Sequence, residues 1–145
     1  MTMRKNVYLT AFTFLTLSLC STVKSKAQNN GSWQPLWLST TNVFKGIEGF
    51  YQLSACNGTE MVMVKFINHN NYKVRAGWKD LVINNSGQQI PSSAMQDSVT
   101  IPASGQMEGS CTGSPKLYTK LSNFGITPSD FKGFFCSGFD YRIIQ

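Results

Sequence analysis

The strongest constraint on the fold is a strict two-residue alternation near the middle of the chain. Val74, Ala76 and Trp78 are apolar, and they alternate with lysine, arginine or glycine at positions 73, 75, 77 and 79. This period is expected of a β-strand that has one buried and one hydrated face, and it does not fit the 3.6-residue period of a helix. The segment therefore predicts a half-buried strand.

A second strand is predicted just before it. Residues Met61 to Ile67 are apolar on both faces apart from Lys65, which is typical of a strand that lies centrally in a sheet. The link between the two segments, residues 68 to 71, is Asn-His-Asn-Asn, and asparagine tolerates the backbone angles of tight turns. We therefore expect a hairpin whose first strand is central.

Four further segments have strand character and are bounded by Gly, Pro, Asn or Ser: residues 49–55, 81–84, 98–102 and 134–144. Thr127, followed by Pro128, predicts one helical turn over residues 127–130, with Thr127 as its cap. About six short strands without a long helical period predict an all-β fold. We expect a small single-domain antiparallel β-sandwich of immunoglobulin-like architecture or a partly open barrel, with at most one short helical turn.

The first 27 residues, Met1 to Ala27, have the pattern of a cleaved secretory signal peptide. Arg4 and Lys5 precede fourteen uncharged residues, 7–20, and Ser25-Lys26-Ala27 forms a small-x-small cleavage site. An apolar run of fourteen residues is shorter than the roughly 17 to 25 that span a membrane. An uncleaved anchor and a lipid anchor on Cys20 remain alternatives, as do periplasm, cell surface and medium as destinations. The cleavage region resembles signal-peptide ends of one large group of Gram-negative bacteria.

Removal of this leader changes the charge on which partner predictions depend. The chain has a net charge of +6, and nine Lys/Arg against seven Asp/Glu remain after residue 27, a net charge of +2. The remaining cations form no basic run in the sequence, and the densest group, Lys73, Arg75 and Lys79, is spread along an alternating strand. Nucleic-acid binding requires clustered charge with interleaved aromatics. We predict an irregular N-terminal segment over residues 28–45, a single β-domain over residues 46–145, and no nucleic-acid partner.

Three cysteines remain after the leader, and in an oxidising compartment two of them are expected to pair. Cys56 and Cys111 each follow an apparent strand and precede a polar turn that contains glycine, so we favour a Cys56–Cys111 disulfide. Cys136 is then a buried free thiol. The other two pairings stay open, because connectivity cannot be read from spacing.

Catalytic groups are scarce, since the chain contains one histidine, His69. Residues 109–113, Gly-Ser-Cys-Thr-Gly, have the form of a hydrolase nucleophile elbow, so a thiol-dependent hydrolase that uses Cys111 and His69 is one alternative. A working elbow is followed by a helix, whereas turn residues and a proline follow Cys111. Metal-binding motifs are also missing from the sequence. We therefore predict a non-enzymatic protein without metal or cofactor.

Exposed aromatic side chains on a rigid sheet bind sugar rings or anchor protein interfaces. Trp33, Trp37 and Tyr51 have flanks polar enough for exposure, and we expect them to contribute to a binding site for a protein or glycan partner. The tripeptide Asp97-Ser98-Val99 resembles an acceptor pattern for bacterial O-glycosylation, which makes Ser98 a candidate modification site.

Two short stretches carry a resemblance to a known family. Cys56-Asn57-Gly58, with Val62, Val64 and Phe66 after it, and the later stretch 137–141 (Ser-Gly-Phe-Asp-Tyr) resemble the layout of periplasmic lysozyme inhibitors of the small β-barrel type. In that family a Ser-Gly-x-x-Tyr stretch enters the enzyme's cleft, which makes an inhibitor of a lysozyme-like hydrolase a second alternative. A charge of +2 is poorly suited to a basic lysozyme.

The leading hypothesis is an exported envelope or secreted binding module.

Overall fold

The computed structural model describes residues 31–38, 40–93, 97–112 and 115–144. The predicted signal peptide, its cleavage site and Cys20 lie outside these residues. The described ranges contain eleven strands and one 3-10 helix, Leu121–Phe124. In chain order the strands are β1 (Gln34–Pro35), β2 (Trp37–Leu38), β3 (Val43–Phe44), β4 (Ile47–Cys56), β5 (Thr59–Asn68), β6 (Lys73–Asn84), β7 (Gln89–Pro91), β8 (Asp97–Ile101), β9 (Gln106–Glu108), β10 (Tyr118–Lys120) and β11 (Phe131–Ile144).

Two sheets are built in the same way, each around one pair of long antiparallel strands. In the six-stranded sheet the pair is β4 and β5; β1 and β3 flank β4, and β9 and β10 flank β5. In the five-stranded sheet the pair is β6 and β11; β7 and β8 flank β6, and β2 runs parallel to β11. Every side chain on these strands therefore faces either the other sheet or one of two outer faces.

The core lies between the two sheets and is rich in aromatic rings. Phe66 of β5 packs edge-on against Trp78 of β6, with 4.9 Å between the ring centroids. Tyr51 of β4 reaches Phe134 of β11 at a centroid distance of 6.1 Å. Face-to-face contact of two sheets through inward side chains defines a β-sandwich. The predicted all-β sandwich is confirmed.

The predicted hairpin between Met61–Ile67 and Val74–Trp78 is wrong. β5 is central, as expected, but β6 belongs to the opposite sheet. The link is an arch that is organised by the buried amide of Asn68, which donates to the carbonyls of Tyr72 (2.8 Å) and Pro102 (2.9 Å) and accepts from the backbone N–H of Asn70 (3.0 Å). These bonds replace the strand pairing that a hairpin would form, so the chain passes from one sheet to the other.

The hairpin partner of β5 is β4, joined through Asn57 and Gly58. Both residues have positive φ, 51° and 75°, which is the requirement of a two-residue type I′ turn. The Asn-Gly pair between two apolar runs is the sequence signal for this hairpin, and the turn sits directly after Cys56. Sequence reasoning treated it as a turn after a cysteine rather than as a hairpin connection.

The segment predicted to be irregular, residues 28–45, contains three two-residue strands in its described part. Here the chain crosses from one sheet to the other: β1 pairs with β4, and β2 pairs with β11 two residues later. Gly49 permits this crossing, because a Cβ there would lie 2.9 Å from Leu38 Cδ2 and 3.2 Å from Leu36 Cβ. The leucines close one side of the core, and both are fully buried.

The short helical turn is present, but it is displaced from its predicted position. Leu121 and Phe124 are buried and anchor the 3-10 helix, whereas residues 127–130 form a β-turn closed by a 3.0 Å bond from the Asp130 N–H to the Thr127 carbonyl. β11 begins at Phe131, one residue after this turn. The chain therefore reverses direction there before a helical turn is completed.

Candidate binding face and a buried acidic cluster

The three aromatic residues proposed for binding lie in three different environments. Trp33 is half-buried on the outer face of the six-stranded sheet, where the Lys65 Nζ lies 4.4 Å from its ring centroid. Tyr51 packs between the sheets, and burial raises the pKa of its hydroxyl. Trp37 is 46% exposed on the outer face of the five-stranded sheet. They do not form one site, and Trp37 alone faces solvent freely.

Trp37 stands at one end of an apolar row that crosses four strands of the five-stranded sheet, from β2 to β7. In the strand register Trp37 is opposite Phe135. Phe135 is in turn opposite Leu81, and Leu81 is opposite Pro91. Register neighbours point to the same side of a sheet and lie about 5 Å apart, so the row is roughly 14 Å long. Phe135 and Leu81 are partly exposed, and Pro91 is exposed. We call this the apolar row.

An open groove of about 720 Å³ lies on the same outer face, towards the other end of β6 and β11. Arg75 and Arg142 flank it and are direct register neighbours, and Gly77 lies between Asp140 and Ser98 in the register. Arg75 Nη2 donates to Ser98 Oγ at 3.1 Å. Arg142 Nη2 lies 3.8 Å from Asp140 Oδ2, and both side chains are exposed. We call this the arginine groove.

Ser98, the candidate O-glycosylation residue, is part of this groove. It is exposed and sits on β8, where its hydroxyl accepts the bond from Arg75. The hydroxyl thus orients one of the two guanidinium groups. Glycosylation at this residue remains a prediction.

A buried acidic cluster between the sheets was missed by sequence reasoning. Asp80 is 5% exposed, and its Oδ1 accepts a 2.9 Å bond from the indole N–H of Trp78. Burial, together with the charge of Asp97, raises the pKa of Asp80 to about 6. Bonds from Trp78 and Thr119 and the charge of Lys116 act in the opposite direction. Burial also raises the pKa of Asp97. The signal was available, because Asp80 continues the inward series of Val74, Ala76 and Trp78.

Cys136 is the register neighbour of Asp80 and is buried as a free thiol. Burial, followed by the nearby charges of Asp80 and Asp97, raises the pKa of the thiol well above its ordinary value of 9.0. A raised thiol pKa disfavours the thiolate, which is the reactive form of cysteine. Cys136 therefore acts as a small apolar side chain in the core.

The structure bonds Cys111 to Cys56, as the sequence predicted. A sulfur in a disulfide cannot serve as the thiolate nucleophile of the hydrolase alternative. His69 is exposed, and its Nε2 lies 3.1 Å from Glu48 Oε2 on β4. The two residues of that alternative therefore make contacts with other partners, and neither contact generates a nucleophile.

The stretch that resembles the lysozyme inhibitors, residues 137–141, lies within β11. A β-bulge interrupts the pairing with β6 between Ser137 and Asp140, and Gly138 there has a φ of 59°. The bulge turns Phe139 towards the core, where its ring meets Phe66 at a centroid distance of 5.9 Å. The Tyr141 hydroxyl donates to that of Tyr72 at 2.9 Å. The stretch thus shapes the sandwich, and it does not form a protruding loop.

Two observations concern sites of other kinds, and both are limited to the described ranges. Within residues 31–38, 40–93, 97–112 and 115–144, no three His, Cys, Asp or Glu side chains gather in a way that could hold a metal ion. In the same ranges no helix has the length and apolar character needed to cross a membrane.

Comparison of the chain with protein-family models, curated protein sequences and solved structures gives no significant match in any of the three. Function is therefore inferred here from the geometry of the described residues.

Proposed function

We propose that the chain is an exported, non-enzymatic binding module that holds a protein or glycan partner on the outer face of its five-stranded sheet. The observation that supports this proposal is the apolar row, in which a 46% exposed Trp37 and three further apolar side chains lie in register across one sheet. Contiguous exposed apolar groups on a soluble domain are costly and commonly mark interaction sites. The Cys56–Cys111 disulfide is compatible with an oxidising, exported location.

The sheet face is suited to binding because its backbone is rigid. The row crosses β11 and β6, which are strands of fourteen and twelve residues that pair with each other. A flat indole on such a surface loses little conformational entropy on binding, and its face offers a stacking surface to a sugar ring or an apolar side chain. Tryptophan is also among the residues that most often dominate binding energy.

The test is a binding screen in which Trp37 is removed. The purified protein and its Trp37→Ala variant are measured against immobilised glycans and envelope proteins by biolayer interferometry. We expect Trp37→Ala to weaken binding of the selected partner by about tenfold or more, as for a central aromatic anchor. The matched control is Val43→Ala, because Val43 is 45% exposed but lies on β3 of the other sheet; it should change affinity less than about twofold.

Two outcomes would contradict the proposal. The first is that every partner found binds Trp37→Ala and the original protein equally well. The second is chemical conversion of the bound partner, measured by mass spectrometry of the ligand after long incubation, since a binding module returns its ligand unchanged.

A further inference from the structure

The arginine groove contains two like charges that the fold places side by side. Arg75 and Arg142 are register neighbours on adjacent strands, and like charges in that arrangement destabilise a sheet. A carboxylate between them would remove this cost, but Asp140 is 3.8 Å from Arg142 in an exposed pair that contributes little. Arg75 is bonded to a neutral hydroxyl instead. The two guanidinium groups can therefore still bind an anion.

The same outer face carries two more positive charges on β6. Lys73 lies two positions before Arg75 and Lys79 lies four positions after it, so all three side chains face outward, and all are exposed. Side chains two residues apart on one strand lie about 7 Å apart along its axis. Asp140 is an acidic side chain on the same face, beside Arg142. A ligand with several negative charges along an extended chain matches this series better than a single anion does.

The chemistry of the cations favours oxyanions. A guanidinium presents N–H donors in a planar fork that fits a carboxylate or a phosphate group with two parallel bonds. The bond from Arg75 Nη2 to Ser98 Oγ fixes the plane of that guanidinium and leaves its other donors available. The groove, at about 720 Å³, is large enough for sugar units rather than a small ion alone.

The apolar row distinguishes a glycan from other acidic polymers. Phe135 pairs with Leu81, and Arg142 pairs with Arg75, so row and groove are six residues apart along β6, roughly 20 Å. One extended chain can lie over both. An acidic sugar polymer offers apolar C–H faces for Trp37 and carboxylates for the arginines in the same molecule, whereas polyphosphate and polyglutamate offer charge without a ring that can stack on the indole.

We propose that the outer face of the five-stranded sheet binds an acidic polysaccharide, with its uronic-acid carboxylates in the arginine groove. This inference rests on the proposed function and names its ligand class. Arg75 and Arg142 hold a carboxylate between them, Lys79 binds the next charged units along β6, and Trp37 stacks on a sugar ring at the far end.

The experiment uses polygalacturonate as the acidic polymer, its fully methyl-esterified form as the neutral counterpart, and polyglutamate and polyphosphate as other polyanions. The protein is purified after expression with its own leader, and binding is measured by biolayer interferometry at physiological salt. We expect binding to polygalacturonate and at least about tenfold weaker binding to the ester, because esterification removes the charge-assisted bonds. This comparison needs no variant, so it does not depend on variant folding.

The variant test compares two double substitutions of equal charge. Arg75→Gln with Arg142→Gln should weaken polygalacturonate binding by about tenfold or more. The control, Lys120→Gln with Lys132→Gln, removes two charges at exposed positions on β10 and at the opposite end of β11, and should change affinity less than about twofold. Both variants should unfold at urea concentrations close to that of the original protein.

Four results would overturn the inference: no binding to polygalacturonate, equal binding to its methyl ester, equal losses in the two double variants, or tighter binding to polyglutamate or polyphosphate. Tight polyglutamate binding would point to an acidic protein partner. If a neutral glycan or a protein is bound in a Trp37-dependent way, the proposed function stands and only the acidic ligand class is rejected.

Discussion

The two outer faces of the sandwich differ sharply, although both sheets are built around one pair of long antiparallel strands. On the six-stranded sheet, outward residues of β5 are shielded: Met61 is 7% exposed and Met63 is 2% exposed. Trp33 and Tyr118 pack against them beside the disulfide cysteine Cys56. On the five-stranded sheet, the outward Trp37 is 46% exposed. One face carries a second small core, and the other remains accessible.

The difference teaches that an aromatic side chain on an outer face has two uses, and that neighbouring chain segments decide between them. Trp33 and Trp37 are four residues apart, yet the strand crossing at Leu36 places them on opposite sides of the molecule. Trp33 helps cover methionines and is itself overlaid by Lys65. Trp37 lies at the end of the apolar row and is 46% exposed. Burial makes the first residue structural, and exposure makes the second available for binding.

The largest effect should come from removing the disulfide of the covered face. Cys56 and Cys111 are 55 residues apart, and closing a loop of that length stabilises a fold by about 4 kcal/mol. The double substitution Cys56→Ala with Cys111→Ala should lower the free energy of unfolding by about that amount, measured by urea denaturation. Hydrogen exchange should increase first in β10 and its preceding segment. Equal local opening of β6 and β11 would contradict a role confined to the covered face.

The next effect compares one outward apolar residue from each face. Met63→Ala should lower the free energy of unfolding by about 3 kcal/mol, because it leaves a cavity under Trp33 and Tyr118. Leu81→Ala, in the apolar row, should cost about 1 kcal/mol, because Leu81 is already partly exposed. Thermal or urea unfolding of the two variants measures the difference. Similar costs would mean that the five-stranded face is covered as well.

A smaller, pH-dependent effect belongs to the interior and should leave both faces unchanged. The pKa of Asp80 rises from 3.8 to about 6 on folding, so the folded protein binds this proton more tightly than the unfolded chain does. The associated stability is fully present below pH 4 and is lost as the pH rises through 6, by at most about 3 kcal/mol. Asp80→Asn, which still accepts the bond from Trp78, should flatten this loss.

Urea unfolding of the two proteins at several pH values between 4 and 7 measures the effect. Asp97 also has a raised pKa, so part of the slope should remain in Asp80→Asn. The matched control is Asp140→Asn, an exposed carboxylate of the groove, which should keep the original pH profile. An unchanged or steeper profile in Asp80→Asn would contradict the buried-proton explanation. A change in the ligand binding of Asp80→Asn would contradict the separation of interior from outer face.

The smallest stability effect is expected at the exposed tryptophan. Trp37→Ala should lower the free energy of unfolding by about 1 kcal/mol, whereas Trp33→Ala should cost about 2 kcal/mol because its ring covers the methionines. Iodide quenching of fluorescence gives an independent measurement. Trp37→Ala should remove the readily quenched component, and Trp33→Ala should leave it. If Trp33→Ala removed the readily quenched component and Trp37→Ala left it, the assignment of Trp33 as covered and Trp37 as exposed would be wrong.

The sequence predicted those features that depend on local pattern. Alternation along Val74, Ala76 and Trp78 fixes a strand with one inward face, because side chains on a strand alternate regardless of its partners. The sequence also favoured the Cys56–Cys111 pair, because each cysteine precedes a polar turn that contains glycine, and the structure contains this disulfide. Extending the alternation of β6 by one step would have identified Asp80 as an inward carboxyl.

Only the tertiary structure decided which strands pair and which faces are covered. The Asn-His-Asn-Asn link is compatible with an arch or a hairpin, and one of the bonds that hold the observed arch comes from far along the chain: the Asn68 amide donates to the carbonyl of Pro102, 34 residues away. The apolar row and the Arg75–Arg142 pair likewise join strands that are distant along the chain. The sequence by itself determined the long strands and their inward faces, because these follow from local periodicity, and it favoured the Cys56–Cys111 pair while two other pairings stayed open. Sheet pairing, the covered and open faces, and the raised pKa of Asp80 arise from long-range contacts, which no local pattern encodes.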